Sequence, residues 1–241
     1  MNYFELSCKC FIKQDIFFKN SFEIIAKYIN FSMCQDERYL AVHNSLDFKP
    51  YCFNSFYPPE QGRVYEKDKI YTLTIRAVDR DFIYNLVESL RKNINNANFL
   101  VLETKVKTVK KFFVTELYTV TPTIVTIDNK PTYWTREKSG DIVQLVTQLH
   151  DNVAKKYQQV YNRPISATNT FIQLIELMNQ KPENIFIIKN KKQIRLFGNK
   201  FKIVPHEDET SQALAFVALS CGLGEKQSYG GGFCTSKGIK I

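Results

Sequence analysis

The chain of 241 residues has only three histidines, His43, His150 and His206, and they lie far apart. Its six cysteines (Cys8, Cys10, Cys34, Cys52, Cys221 and Cys234) include no Cys-x-x-Cys pair. A zinc site needs closely spaced ligands, so no metal site is expected, and the cysteines read as reduced cytosolic thiols packed as small hydrophobes. The longest apolar run, residues 213–219, is far short of the roughly 20 residues of a membrane span. Residues 1–13 alternate in character and carry Lys9, so they form no signal-peptide core. These absences lead us to expect a cytoplasmic protein with no membrane partner.

Acidic side chains are also in deficit. There are 24 Asp and Glu against 33 Lys and Arg, a formal net charge of +9. With 44% hydrophobic residues the chain has the composition of a folded protein, and a basic one is expected to meet a polyanion. Lysines outnumber arginines 25 to 8. Lysine binds phosphate as a point charge, whereas arginine suits bidentate reading of bases, so backbone contact is favoured over dense base reading. Aromatics at 14% suit base stacking or core packing, but no RNP-type aromatic signature is present.

Alternation over residues 4–12 predicts a strand, and Ser21 caps a predicted helix over 22–33. Residues 35–49 read as polar and irregular. Strands are expected over 51–57 and 69–78, then a helix opened by Asp79 or Asp81 and ending near residue 92. Residues 99–108 and 112–120 form one long strand or a hairpin. The order β-α-β-β-α-β is that of a ferredoxin-like unit. Thr121-Pro122 breaks the pattern and marks the expected boundary between domains 1–120 and 121–241. In the second half a strand is expected over 123–127, a long helix over 141–161, an extra helix or insertion over 162–180, strands over 185–189 and 194–204 joined by a basic turn, a helix over 211–221 capped by Asp208 or Thr210, and a last strand over 230–239. The predicted fold is α+β, two tandem ferredoxin-like (RRM-like) domains.

Five of the nine glycines fall in residues 222–232: Gly222, Gly224, Gly230, Gly231 and Gly232. Glycines permit positive φ and close backbone approach, and successive amides can form an anion nest with Lys226 inside it. The Gly-Lys-Ser/Thr string of a P-loop is absent. Gln227 stands where a dinucleotide fingerprint needs its third glycine. The plain alternative is a helix C-cap at Gly222 and a turn.

This segment resembles the C-terminal signature Gly-h-Gly-x5-Gly-h-Gly (h apolar) of the CRISPR-associated repeat-processing endoribonucleases, the Cas-six family, except that Gly231 occupies the second apolar position. Residues 117–125 (LYTVTPTIV), 149–157 (LHDNVAKKY) and 42–57 (VHNSLDFKPYCFNSFY) also resemble stretches of that family. The resemblance implies metal-independent cleavage of CRISPR precursor RNA within its repeats. The 2′-OH next to the scissile phosphate attacks, leaving 2′,3′-cyclic phosphate and 5′-OH ends, without any cofactor. Tyr28, His43 and Lys49 match the family's catalytic positions: His43 as base or acid, Lys49 on the developing charge, and Tyr28 on the 2′-OH or phosphate. Gly222, Gly224, Lys226, Gln227, Ser228, Gly230 and Gly232 would bind RNA. Partners implied are precursor and mature repeat RNA and other Cas proteins of an effector complex, with the chain a monomer or homodimer. A non-catalytic RNA-binding subunit of the same fold, or a tandem RRM-like protein outside CRISPR systems, would share the loop and the basic faces. Tyr28, Lys49 and His43 read without the resemblance are a packing residue, a solvated lysine and a surface histidine. His150 reads as structural and His206 as the reserve candidate. Lys105 and Lys107, Lys200 and Lys202, and Lys189, Lys191, Lys192 and Arg195 are further candidates for phosphate contact.

Overall fold

The structure, a computed structural model, describes residues 1–44, 47–127, 132–138, 140–167, 169–189 and 191–240, with the side chains of Val42, His43, Asn44 and Thr132 outside that description. In chain order the main elements are β1 (Asn2–Ile12), α1 (Phe18–Met33), α2 (Glu37–Asn44), β2 (Tyr51–Phe53), β3 (Ile70–Ala77), α3 (Arg80–Arg91), β4 (Phe99–Lys110), β5 (Phe113–Thr119), α4 (Ile142–Tyr161), β6 (Ile172–Leu177), β7 (Glu183–Lys189), β8 (Lys192–Gly198), β9 (Phe201–Pro205), α5 (Glu209–Cys221) and β10 (Cys234–Ile239). They build two antiparallel four-stranded sheets, ordered β2-β3-β1-β4 and β6-β9-β5-β10, and a separate β7–β8 hairpin.

Side-chain alternation decides which face of each strand is buried. Leu6, Cys8, Cys10 and Ile12 of β1 turn one way, into a core with Ile25 and Ile29 of α1 and Phe82, Ile83 and Leu86 of α3. A second core lies under the second sheet, where Leu145, Leu149 and Val153 of α4 meet almost the whole of α5. A smaller cluster of Ile124, Ile185, Ile187 and Leu196 seats the hairpin against Phe22 of α1. Five of the six cysteines are buried, and Cys34 is half-buried. Among the described residues no helix is long and apolar enough to cross a membrane.

Asp79, Asp141 and Asp208 cap α3, α4 and α5, each accepting from amides of the first turn. Ser21 does not cap α1. The helix begins at Phe18, and the Ser21 hydroxyl inside its first turn donates to the Phe18 carbonyl at 2.8 Å. The stretch 35–49, expected to be irregular, contains α2. Residues 99–110 and 113–119 are neither one strand nor a hairpin: β4 edges the first sheet, while β5 sits inside the second. The change of sheet therefore falls at residues 111–112, ahead of the expected break at Thr121-Pro122. Among the described residues of 162–180 there is no helix. They include β6, an edge strand whose exposed Leu174 weakens the alternation. Residues 194–204 divide between the hairpin and β9.

The two halves meet around Arg76 of β3, which is 8% exposed. It pairs with Glu5 at 2.7 Å and donates to the carbonyls of Leu219 at 3.3 Å and Cys234 at 2.6 Å. Its guanidinium lies 4.3 Å from the centre of the Phe233 ring. Arg76→Met keeps most of the volume but leaves a partly buried carboxylate and two carbonyls without their donor, so it should cost about 3 kcal/mol. Urea unfolding at neutral pH measures this, and a loss below about 1 kcal/mol would mean that the carbonyls find other donors.

Candidate functional site

The glycine segment leaves the buried end of α5 and folds back on residues 120–124, which link the first strand of the second sheet to its long helix. Glu225 N donates to Ile124 O at 2.7 Å, Gly232 N to Pro122 O at 2.9 Å, and Val120 N to Phe233 O at 2.8 Å. Leu223 N closes the neck onto Gly232 O at 2.8 Å, and the amides of Gly230 and Gly231 donate to Gln227 O and Lys226 O. At Gly230, with φ +88°, a Cβ would enter the Phe22 ring of α1. Gly222, Gly224, Gly230 and Gly232 are all buried. Buried amides must find acceptors, and those of residues 223, 225 and 230–232 find them inside the protein. The expected anion nest is therefore not formed by these amides. The loop's half-buried side chains include Lys226, at φ +62°, and Ser228.

Beneath the loop lies Lys156 of α4, 1% exposed. Its Nζ donates to Gly222 O at 2.8 Å and Gly224 O at 2.6 Å, and it sits 5.8 Å from the centre of the Phe48 ring. Burial pushes its pKa down to about 8 from 10.5, opposed in part by the nearby Cys221, Cys52, Cys234 and Glu225. Sequence reasoning missed this residue. The available signal was a lysine set among the positions Leu149, Val153 and Tyr157, which form the apolar face of α4.

The loop also reaches the first sheet. Gln227, buried, donates from Nε2 to Lys49 O at 3.2 Å, so two expected site residues meet, though through the Lys49 backbone. The short helical turn Gln227–Tyr229 packs on β2, and Gln159 of α4 donates to Phe48 O at 3.1 Å. Burial lowers the pKa of Lys49, with Asp47 acting the other way. His43 lies on α2, and its side chain is outside the described residues.

Tyr28 is elsewhere. It is 5% exposed in the first core, its hydroxyl donates to Leu90 O at 2.7 Å, and its ring meets Phe99 edge-on at 5.3 Å. Burial raises its pKa. These contacts lie at the end of α3 and the start of β4.

Next to Gly224, α4 contributes Gln148, Asp151 and Lys155 to a groove shared with Glu225, whose carboxylate accepts from Thr126 N at 2.9 Å and Thr126 Oγ1 at 2.7 Å. His150 is structural, as expected: its Nδ1 accepts from Phe171 N at 3.0 Å. His206 lines a separate surface hollow with Asp208. Of the further basic candidates, Lys200 is paired with Glu183 at 2.8 Å and Lys202 with Glu116 at 2.9 Å. Lys105 and Lys107 on β4, and Lys189, Lys191, Lys192 and Arg195 on the hairpin, are exposed.

Comparison with known proteins gives one consistent family. The model for "CRISPR associated protein Cas6, C-terminal" matches residues 102–236. The CRISPR-associated endoribonuclease Cas6 2 of Methanocaldococcus jannaschii is 28% identical over 236 residues, covering 92% of this chain and 94% of that protein. A solved "CRISPR associated protein Cas6" superposes with a TM-score of 0.67 at 22% identity, covering 98% of this chain and 99% of the other. A Cas6-related protein from Pyrococcus furiosus gives 0.69 at 18% identity, covering 98% of each. A RAMP protein that binds different RNA substrates gives 0.70 at 17%, covering 97% of this chain and 99% of that one. These structural likenesses are likenesses of fold.

The matched region holds both the glycine loop and Lys156, whose burial has a measurable consequence. Between its folded pKa of about 8 and its unfolded value near 10.5, the native protein binds fewer protons than the unfolded chain, so the cost of burying the charge, about 3 kcal/mol below that window, is relieved as pH rises through it. The neutral amine keeps two N–H donors, enough for both carbonyls. The unfolding free energy of the wild type minus that of Lys156→Met should therefore grow between pH 7 and pH 10. A flat difference would place the ammonium in water.

Proposed function

The chain belongs to the CRISPR-associated Cas6 family, and from that membership we propose that it cleaves CRISPR precursor RNA within its repeats to yield mature CRISPR RNA. The observation that carries the reading to particular residues is the junction of Gln227 with Lys49, where the glycine loop touches the segment that follows α2. We read each sheet as a ferredoxin-like unit, since both run β-α-β-β-α-β with the first strand between the third and fourth. The first unit covers residues 1–111 and the second starts at 112, one strand earlier than the sequence break, with the β7–β8 hairpin as an addition.

Cleavage proceeds by attack of a ribose 2′-oxygen on the adjacent phosphorus, without a metal. The 2′-OH proton passes to a base, the P–O5′ bond breaks, and the departing 5′-oxygen takes up a proton, leaving 2′,3′-cyclic phosphate and 5′-OH ends. His43 serves as base or acid, because an imidazole titrates near neutral pH. The Lys49 ammonium stabilises charge on the phosphorane oxygens. Lys226 and Ser228 hold the RNA backbone by their side chains, while Gly222, Gly224, Gly230, Gly232 and Gln227 hold the loop that presents them. Tyr28 acts in this reading as a packing residue.

Repeat RNA incubated in EDTA should be cut to a cyclic-phosphate product, and the same RNA with a 2′-deoxy sugar at the scissile position should stay intact. Uncut normal RNA, or cut deoxy RNA, sinks the mechanism. His43→Ala should slow cleavage about 10²–10⁴-fold and leave RNA binding within a few-fold. Tyr28→Phe should lose about 1 kcal/mol of stability with its hydrogen bond and keep cleavage within threefold. A loss as large as that of His43→Ala would return Tyr28 to the reaction.

A further inference from the structure

We infer that Lys156 is a positioning residue of the cleavage site: its ammonium grips the carbonyls of Gly222 and Gly224 and thereby sets the glycine loop against the backbone that carries Lys49. The inference rests on the cleavage reading above. It gives the Gly-Leu-Gly half of the glycine signature an inward role, as a pair of carbonyls for an internal cation.

Gly222 and Gly224 have φ +81° and +73°, and both carbonyls reach one nitrogen, at 2.8 and 2.6 Å. A Cβ at Gly224 would lie 2.8 Å from Ile124 O. Between them Leu223 is buried in the second core, which anchors the turn. On the other side, the nitrogen lies toward the face of Phe48. The contacts form a closed circuit. Gln159 of α4, one turn after Lys156, holds Phe48 O; Gln227 of the loop holds Lys49 O; Lys156 holds the start of the loop. A shift of the loop relative to α4 must therefore move residues 48–49.

Stability alone does not account for a lysine here. Burying an ammonium is costly unless it is paired, and among the described residues no carboxylate lies within ion-pair distance of this one. Around it stand the thiols of Cys52, Cys221 and Cys234, each pushed up by burial. A methionine would fill the space without a charge to desolvate. What the lysine adds is two directed hydrogen bonds to one peptide turn.

The test compares Lys156→Met, Lys156→Arg and the wild type. We expect Lys156→Met to fold and bind repeat RNA as completely as the wild type, to cleave saturating RNA at least tenfold more slowly in a single turnover, and to exchange the Leu223, Gly231 and Gly232 amides at least tenfold faster. Lys156→Arg, which keeps a charged donor, should lie between the two in both readouts. A folded Lys156→Met with a rate within twofold of wild type, or with unchanged amide exchange, overturns the inference. So does a rate loss matched by an equal loss of binding-competent molecules, the mark of a merely structural residue. If Lys156→Met does not fold, wild-type protein labelled with ¹⁵N-lysine decides: one ammonium signal protected from water supports the grip, and its absence overturns it. A wild type that leaves repeat RNA uncut overturns the cleavage reading instead, since amide exchange and the ammonium signal do not depend on cleavage.

Discussion

An α-helix that ends inside a protein leaves its last carbonyls without partners, and α5 ends in such a place. From Leu214 to Leu223 the chain is buried, and water cannot serve the carbonyls of Leu219, Gly222 and Gly224. The donors arrive from far along the chain on two long cationic side chains, Arg76 of the first sheet and Lys156 of the second-half helix α4. Each carries several N–H groups on one flexible stem, so each satisfies two carbonyls at once. In doing so they fix two relations, first sheet to α5 and α4 to the glycine loop, while Gln227 ties the loop to the segment after α2.

This constraint changes what the glycines are for. A glycine-rich loop read from sequence suggests a surface on which backbone amides meet phosphate. Here the amides of residues 223, 225 and 230–232 are consumed by the crossing segment and by the loop itself, and the backbone approaches Phe22, Ile124 and Lys156 in place of a ligand. The conformational freedom of glycine lets the loop lie flat on the protein. Side chains such as Lys226 and Ser228 are left half-buried at its outer rim. The close approach that glycine permits is real, but it is directed inward.

Much of the fold was legible because its signals are local. The alternation of β1, the apolar face of α4 and the caps expected at Asp79 or Asp81 and at Asp208 or Thr210 depend on residues a few positions apart; the structure agrees with the first two and takes Asp79 and Asp208 as the caps. Partner choice was not legible. Alternation shows that one face of β5 is buried but not which sheet buries it, and β6 at a sheet edge barely alternates. Of the site, the glycine loop could be found from spacing, and Lys49 and Gln227 from resemblance. That they meet through a backbone carbonyl, with Gln227 turned inward, is a tertiary fact. Tyr28 is a similar case: its position in the sequence fits a motif, while the hydrogen bond of its hydroxyl to Leu90 O in the first core is a tertiary contact.

The net charge of +9 is not one property but three. Arg76 and Lys156 are internal and act on backbone carbonyls. Lys200, Lys202 and Lys237 are matched to Glu183 and Glu116 and project little field beyond the second sheet. The remaining exposed lysines on β4 and the hairpin are those whose counterions a polyanion would release, and that term depends on salt but not on sequence. The two buried cations act on the fold instead: Arg76 holds the first sheet to α5, and Lys156 holds α4 to the glycine loop. On the proposed cleavage reading, Lys156 sets the start of the loop and Gln227 ties that loop to the Lys49 carbonyl, so an internal charge and an amide, and not the exposed lysines, would decide where a reactive phosphate is held.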